Sequence, residues 1–300
     1  MLRHVAAGFD GSPESLAAAH WAAREAIRRG TALRLVHAWQ PRPAPSVPAD
    51  MSQSSWAEDM PARAAASLRA AHSGLQVIVQ SVADSPVEAL LAVAEQCDLL
   101  VLGSRGLGGL AGFLTGSVSQ RIVARTPHPV VLVRAGECAA DEHLSAVDGI
   151  SPEEIPETPY RDVVLGLGAD RPCDELIEFA FDAARRRGAP LRVIHAFSAP
   201  SAFAAVDSLA PVNGRELLAE REHAVIATLR PWCEKFPEVA VAEAVTEGRA
   251  ASQLVRASTG AALVVVGRRV REARLGTHVG PVAHAVLHHA PCPVAVVPHV

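Results

Sequence analysis

The sequence predicts two tandem α/β domains, each an open, mainly parallel five-stranded sheet with helices on both faces. Three observations carry that prediction. Short, nearly continuous apolar runs alternate with helical patterns along the chain, and each return to a parallel neighbour needs a crossover that places a helix on the sheet. The chain is also written twice: "LRLVHAW" at 33–39 returns as "LRVIHAF" at 191–197, and "TPHPVVLVR" at 126–134 returns as "APCPVAVVP" at 290–298. At 300 residues, each copy has enough chain for a core of ordinary size, and the repeat is far too long for a solenoid.

In the first copy "HVAAGFD" reads as a buried strand. "SPESLAAAHWAAREAIRRG" reads as a helix, with Ser12 at the cap, Pro13 in the first turn and Gly30 as the stop. The strand "ALRLVHAW" follows, then a proline-rich loop at 41–50, an alanine-rich helix near 57–72, the strand "LQVIVQS", a helix near 85–95 and the strand "DLLVLG". A glycine loop, a helix from about 116 and the strand "PVVLVR" complete a first domain over residues 1–135. Residues 161–300 form the second. Between them, residues 136–160 carry Glu137, Asp141, Glu142, Asp148, Glu153, Glu154 and Glu157, no Lys or Arg, and three prolines. Such a stretch is expected to be a solvated linker whose charges have no partner.

Composition excludes several classes. A formal net charge of −4, with arginines dispersed, provides no stripe to neutralise a phosphate backbone, so nucleic acid is not the expected partner. No apolar run approaches the roughly 18 residues of a membrane span, and Arg3 and Asp10 bracket a strand-like start where a leader would be apolar. The expected location is the cytoplasm. Cys97, Cys138, Cys173, Cys233 and Cys292 are widely spaced with no C-x-x-C, which argues against a disulfide framework or structural zinc and for inert packing thiols.

The glycine loop is the richest motif. "GSRGLGGLAGFLTGS" begins at Gly103, and glycine lets bare backbone approach or wrap something. A P-loop would need a lysine before Ser117, and the loop has none. Gly106, Gly108 and Ala111 spell G-x-G-x-x-A, yet no Asp or Glu lies between residues 99 and 136 to hold a ribose. The spacing that remains is Gly103, two residues, Gly106, nine residues, Gly116, Ser117. Gly103 and Gly106 would expose amides as the chain leaves a strand, and Gly116 with Ser117 would open a helix whose free N–H groups attract anions. The two ends would clamp a polyphosphate.

That spacing, with "GFDGSPES" at 8–15, "LVHAW" at 35–39 and "TPHPVVLV", resembles the universal stress protein family in its tandem two-domain type. The resemblance covers nearly all of residues 3–134 and, more weakly, 161–298. It implies a Rossmann-like, adenine nucleotide alpha hydrolase-like fold with ATP held in the first domain. In that reading Leu102, Gly103, Arg105, Gly106, Gly116, Ser117 and Val118 face phosphates and ribose. Gly8, Phe9 and Asp10 lie beside the adenosine, and Ala38 gives a main-chain contact near adenine. Asp10 would accept from ribose hydroxyls or help hold a hydrated Mg²⁺. The resemblance further implies domain pairing through the fifth strands, a homodimer, and an unidentified protein partner. Other roles stay open for the same residues: Asp10 as a turn residue, Ser117 as a helix cap, Arg105 as a solvated side chain, and His37 with its repeat His195 as buried hydrogen-bonding groups.

The second copy departs from the motif. Gly168 stands where Asp10 would be, Gly267 remains, Val270 replaces the second glycine, and Gly280-Pro281 replaces Gly-Ser. Proline lacks an N–H and branched Val270 resists positive φ, so this copy is expected to bind ATP weakly or not at all. His278, His284, His288, His289 and Cys292 cluster nearby, with no acidic third ligand to argue for a metal. No general base accompanies the loop, so the expected function is an ATP-binding stress protein that signals through nucleotide-dependent conformation or partner binding. The alternatives are a slow Mg-dependent ATPase or nucleotidyl-transfer enzyme, and a nucleotide-free interaction module.

Overall fold

β1 (Val5–Gly8) and β4 (Leu99–Ser104) are buried along almost their whole length, as unbroken apolar runs require of strands covered on both faces. The structure, a computed structural model, describes residues 4–39, 52–104, 116–145, 158–169, 171–198, 214–270 and 279–299. Chain contacts divide it into two units, one containing Met1–Ala139 and the other Ala140–Arg269 with Gly280–Val300.

Between β1 and β2 (Leu33–Trp39) runs α1 (Pro13–Arg29), bounded as its sequence signals direct. Ser12 is extended and its Oγ accepts the Ser15 N–H at 3.2 Å, while Gly30 takes φ 62° and returns its amide to the last turn. Ala18, Trp21, Ala22 and Ala26 form its buried face. Glu25 is buried among them because Arg28 and Arg29 reach its two oxygens from the next turn, at 3.1 and 2.7 Å.

The remaining elements of this unit are α2 (Ser52–Ala71), β3 (Val77–Ala83), α3 (Pro86–Ala94), α4 (Ser117–Arg125) and β5 (Val130–Arg134). The strands lie in the order β3-β2-β1-β4-β5, every pair parallel, with Val5 opposite both Leu33 and Leu99 and Leu102 opposite Leu132. The chain winds outward from β1 to β3 and then crosses to β4 on the other side of β1. The carboxyl ends of β1 and β4 therefore flank the point where the winding reverses, where open α/β sheets place ligands.

The second unit repeats this plan with β6 (Val163–Gly166), α5 (Asp174–Arg187), β7 (Leu191–Phe197), α6 (Gly214–Lys235), β8 (Val241–Glu247), α7 (Ala250–Ser258), β9 (Leu263–Arg269), α8 (Pro281–His289) and β10 (Val294–His299). Its order is β8-β7-β6-β9-β10, again all parallel. The predicted α/β class and parallel sheets are thus the observed ones.

The expected linker is not wholly solvated. A short 3-10 helix, Ala139–Glu142, leads into an antiparallel bridge between His143 and Tyr160. Leu144 N–H donates to the Pro159 carbonyl, Arg161 N–H to that of Glu142, and His143 Nδ1 to Thr158 O at 2.6 Å. Glu142 and His143 are buried, so a charge run read as partnerless holds a hydrogen-bonded ribbon. The signal was hidden because an isolated bridge leaves no hydrophobic period in the sequence.

Candidate functional site

At the end of β1, Gly8 is followed by buried Phe9, whose N–H donates to the Val36 carbonyl at 2.8 Å and prolongs the β1–β2 pairing by one residue. A Cβ on Gly8 would lie 2.7 Å from Leu102 Cδ2 and 3.2 Å from Leu90 Cδ2, so this glycine serves close packing. Leu102 packs its side chain against Gly8.

Asp10 is exposed at the turn into α1. Its Oδ1 accepts from Ser12 N–H at 3.0 Å and Ser12 Oγ–H at 2.6 Å, while its own N–H donates to Ser15 Oγ at 3.4 Å. Burial pushes the carboxyl upward, but the Ser12 hydroxyl and amide bonds outweigh it and hold Asp10 below its ordinary value. Asp10 is accordingly a turn residue and an ionised acceptor together. His37, one strand over, sets Nδ1 2.9 Å from the Phe9 carbonyl, a satisfied hydrogen bond at the strand end. Ala38 follows it on β2, half-buried.

Gly103 ends the apolar part of β4. A Cβ there would sit 2.7 Å from Glu14 C and 2.8 Å from Glu14 O and Ser15 N, so the first turn of α1 rests directly on it. From the other side, Ser119 Oγ donates to the Gly103 carbonyl at 3.0 Å and ties α4 to the strand. Two helix N-termini thereby meet at one glycine.

Gly116, not Ser117, is the N-cap of α4; Ser117 is the first helical residue and is exposed, so the reading of Ser117 as a cap is corrected. A glycine has no side chain to turn back on the amides, and α4 has no acidic residue in its first turn. Among the described residues no side chain caps the first amides of α4, and helix starts of this kind are where anions are attracted. Gly8, Phe9, Asp10, Ala38, Leu102, Gly103, Gly116, Ser117 and Val118 all lie at the carboxyl edge of one sheet. Arg105 and Gly106 lie outside the described residues.

In the second unit the same edge is built differently. Gly166 is again crowded, by Leu254 Cδ1 at 2.8 Å from a hypothetical Cβ. Gly267 faces not helix backbone but the His299 ring, with Nε2 at 2.8 Å, and Leu176 Cδ2 at 3.2 Å. Pro281 opens α8 without an amide, and Ala283 holds the place of Ser119 with no hydroxyl to tie the helix down. His195 Nδ1 lies 2.9 Å from Leu167 O, as His37 does from Phe9 O. The His284 and His288 rings lie 4.3 Å apart, tilted by 44°, yet no group of three or more His, Cys, Asp or Glu among the described residues is placed to hold a metal ion.

The sequence pattern described as "Universal stress protein family" matches residues 1–134 and again 159–298. The chain belongs to the universal stress protein family. It is similar to "Universal stress protein Rv2005c" of Mycobacterium tuberculosis, 32% identical over 306 residues covering 97% of this chain and 96% of that one. It is likewise similar to "Universal stress protein Rv1996" of the same organism, 31% identical over 320 residues, 97% of this chain and 94% of that one. Its fold is that of a crystal structure of a universal stress protein from Archaeoglobus fulgidus DSM 4304, with TM-score 0.67, 16% identity and 99% of each chain covered. No described helix of this universal stress protein is long and apolar enough to cross a membrane.

Two residues of this edge carry no signature that motif spacing detects. Ser119 could be found by comparing the copies, since serine faces alanine at that step of α4 and α8. Met60 of α2 covers Gly11, with Sδ where a Cβ would stand, and sits too far along the chain for any local pattern to reveal.

Proposed function

We propose that this universal stress protein binds ATP in its first domain, between the carboxyl ends of β1 and β4, and uses the nucleotide as a conformational ligand for signalling in stress. The observation that carries the reading is the juxtaposition at Gly103: an uncapped α4 N-terminus is tied to β4 by Ser119, beside the turn that presents an ionised Asp10. The amides of Ser117 and Val118 suit phosphate oxygens, Asp10 suits ribose hydroxyls, and the main chain of Leu102, Gly103 and Ala38 suits the nucleoside. Arg105 and Gly106 join on the strength of the family resemblance. The second domain, with Gly168, Val270, Pro281 and Ala283, binds ATP weakly or not at all.

The test is mass analysis of nucleotide released from freshly purified protein, with ATP titration of the wild-type chain and of a Gly116→Val, Ser117→Ala variant. Binding by wild type and its loss in the variant support the reading; wild-type protein that carries no nucleotide and ignores millimolar ATP overturns it.

One observation favours a second reading. Asp10 is ionised and exposed at the turn, a place for a water of a phosphate-bound Mg²⁺ and so for slow ATP hydrolysis. Phosphate release over many turnovers, abolished in Asp10→Ala while binding persists, would establish chemistry in place of simple binding.

A further inference from the structure

We propose that Met60 is a peroxide-modification site that couples oxidation to the proposed ATP edge; the coupling rests on the ATP reading, the modification on geometry alone. Gly11 adopts φ +83° between Asp10 and Ser12. The thioether end of Met60 lies over it, with Sδ where a Cβ would reach and Cε 3.3 Å away. This turn is tightly coupled: Asp10 Oδ1 takes both the Ser12 N–H and Oγ–H, and the same Ser12 Oγ accepts from Ser15 to cap α1. Met60 is half-buried, so a small oxidant reaches it, and it is the one methionine among the described residues.

A hydroperoxide, ROOH, transfers one oxygen to the sulfur: the thioether is oxidised by two electrons to the sulfoxide, the O–O bond breaks, and ROH leaves, water in the case of hydrogen peroxide. The product is polar and larger at the atom that touches Gly11. If the S=O group stays, it presses on a glycine with no room for another atom. If it turns to solvent, it uncovers Gly11 and removes the apolar support of a left-handed turn. Either way the Asp10 carboxylate and the α1 cap shift together. A thiol-dependent sulfoxide reductase would restore the thioether and the turn.

The experiment treats the full chain with hydrogen peroxide, follows oxygen addition at Met60 by peptide mass, and reads two quantities: amide exchange over residues 9–15 without nucleotide, and ATP affinity. Oxidation of Met60 is expected to speed exchange over 9–15 and to weaken ATP on the order of tenfold, within the usual range for coupling between two sites. Met60→Leu, which keeps the apolar volume and has no oxidisable sulfur, is expected to bind as wild type does and to ignore peroxide, whatever happens at Met1 and Met51. Complete oxidation at Met60 with unchanged exchange over 9–15 overturns the proposal, as does equal peroxide sensitivity in Met60→Leu. If untreated protein ignores ATP, the ATP reading falls and the exchange measurement still decides the role of Met60.

Discussion

Ser119→Ala isolates the tie between α4 and β4. The hydroxyl donates to the Gly103 carbonyl at 3.0 Å and the residue is only 6% exposed, so water does not take its place when the oxygen is removed. Alanine fits the site, as Ala283 shows in the second domain, which confines the loss to one hydrogen bond. Such a bond contributes about 1 kcal/mol net to stability. That lowers the melting midpoint of a unit this size by about 3–6 °C. If α4 is held there to face phosphates, a similar share of phosphate binding is lost, about fivefold in ATP affinity, while adenosine is held as before. Calorimetric titration with ATP and adenosine, beside thermal melts, separates the effects, and Ser119→Thr restores the bond and the ATP affinity. Equal weakening of ATP and adenosine, or a lowered midpoint with ATP affinity intact, refutes the positional role.

Gly103→Ala drives a Cβ to 2.7 Å from the Glu14 backbone, and a helix backbone yields less readily than a side chain. A loss of about 1–3 kcal/mol in denaturant unfolding is expected, and a neutral result contradicts the close contact. His20 and His72 face each other at 3.2 Å, and burial, with Arg24 and with each other for His72, holds both below the ordinary histidine value. Because the unfolded chain then takes up protons first, their stability is fully present above about pH 6.5 and is lost as pH falls through the depressed folded values. Melts between pH 7.5 and 5.5 are therefore expected to fall more steeply in wild type than in His20→Gln, and parallel curves count against it. Burial pushes the Cys97 thiol up to about 11, so alkylation of Cys97 at pH 8 is expected only after unfolding, as peptide mass would record.

The strands, the caps of α1 and the parallel pairing were legible because each rests on local signals: apolar runs, Ser12 and Gly30, and alternation with helices. The linker ribbon was not, since the burial of Glu142 and His143 depends on Tyr160 and Arg161 meeting them across a stretch of chain with no period of its own. Nor was the cap of α4. A Gly-Ser pair opening a helix invites the serine as cap by propensity, yet the backbone turns at Gly116 and Ser117 is already helical. Met60 and Ser119 act across the fold, on Gly11 and on the Gly103 carbonyl, and contacts of that kind leave no spacing to read.

The duplication itself separates two kinds of glycine. Gly8 and Gly103 recur as Gly166 and Gly267, and at all four an added Cβ would meet an atom within 2.8 Å. Close packing accounts for them in both copies, most firmly at Gly103, where the atoms met are helix backbone, so their presence alone says nothing of a ligand. The positions that change are different in character: Asp10 to Gly168, Gly106 to Val270, Ser117 to Pro281 and Ser119 to Ala283. Of the described ones, Asp10 and Ser117 are exposed, so the fold places little steric demand there, and buried Ser119 gives way to the smaller Ala283. What the second copy has lost is donors and a carboxylate, the groups a nucleotide would use, and what it has gained over Gly267 is its own His299 ring. Donors and a carboxylate kept in one copy and lost in the other are the pattern expected if selection for nucleotide acted on the first domain alone. Titrating ATP against the full chain, with and without Gly116→Val and Ser117→Ala, puts this to measurement: one molecule bound, lost in the variant, is expected, and two molecules bound by the wild type would mean the second edge is open after all.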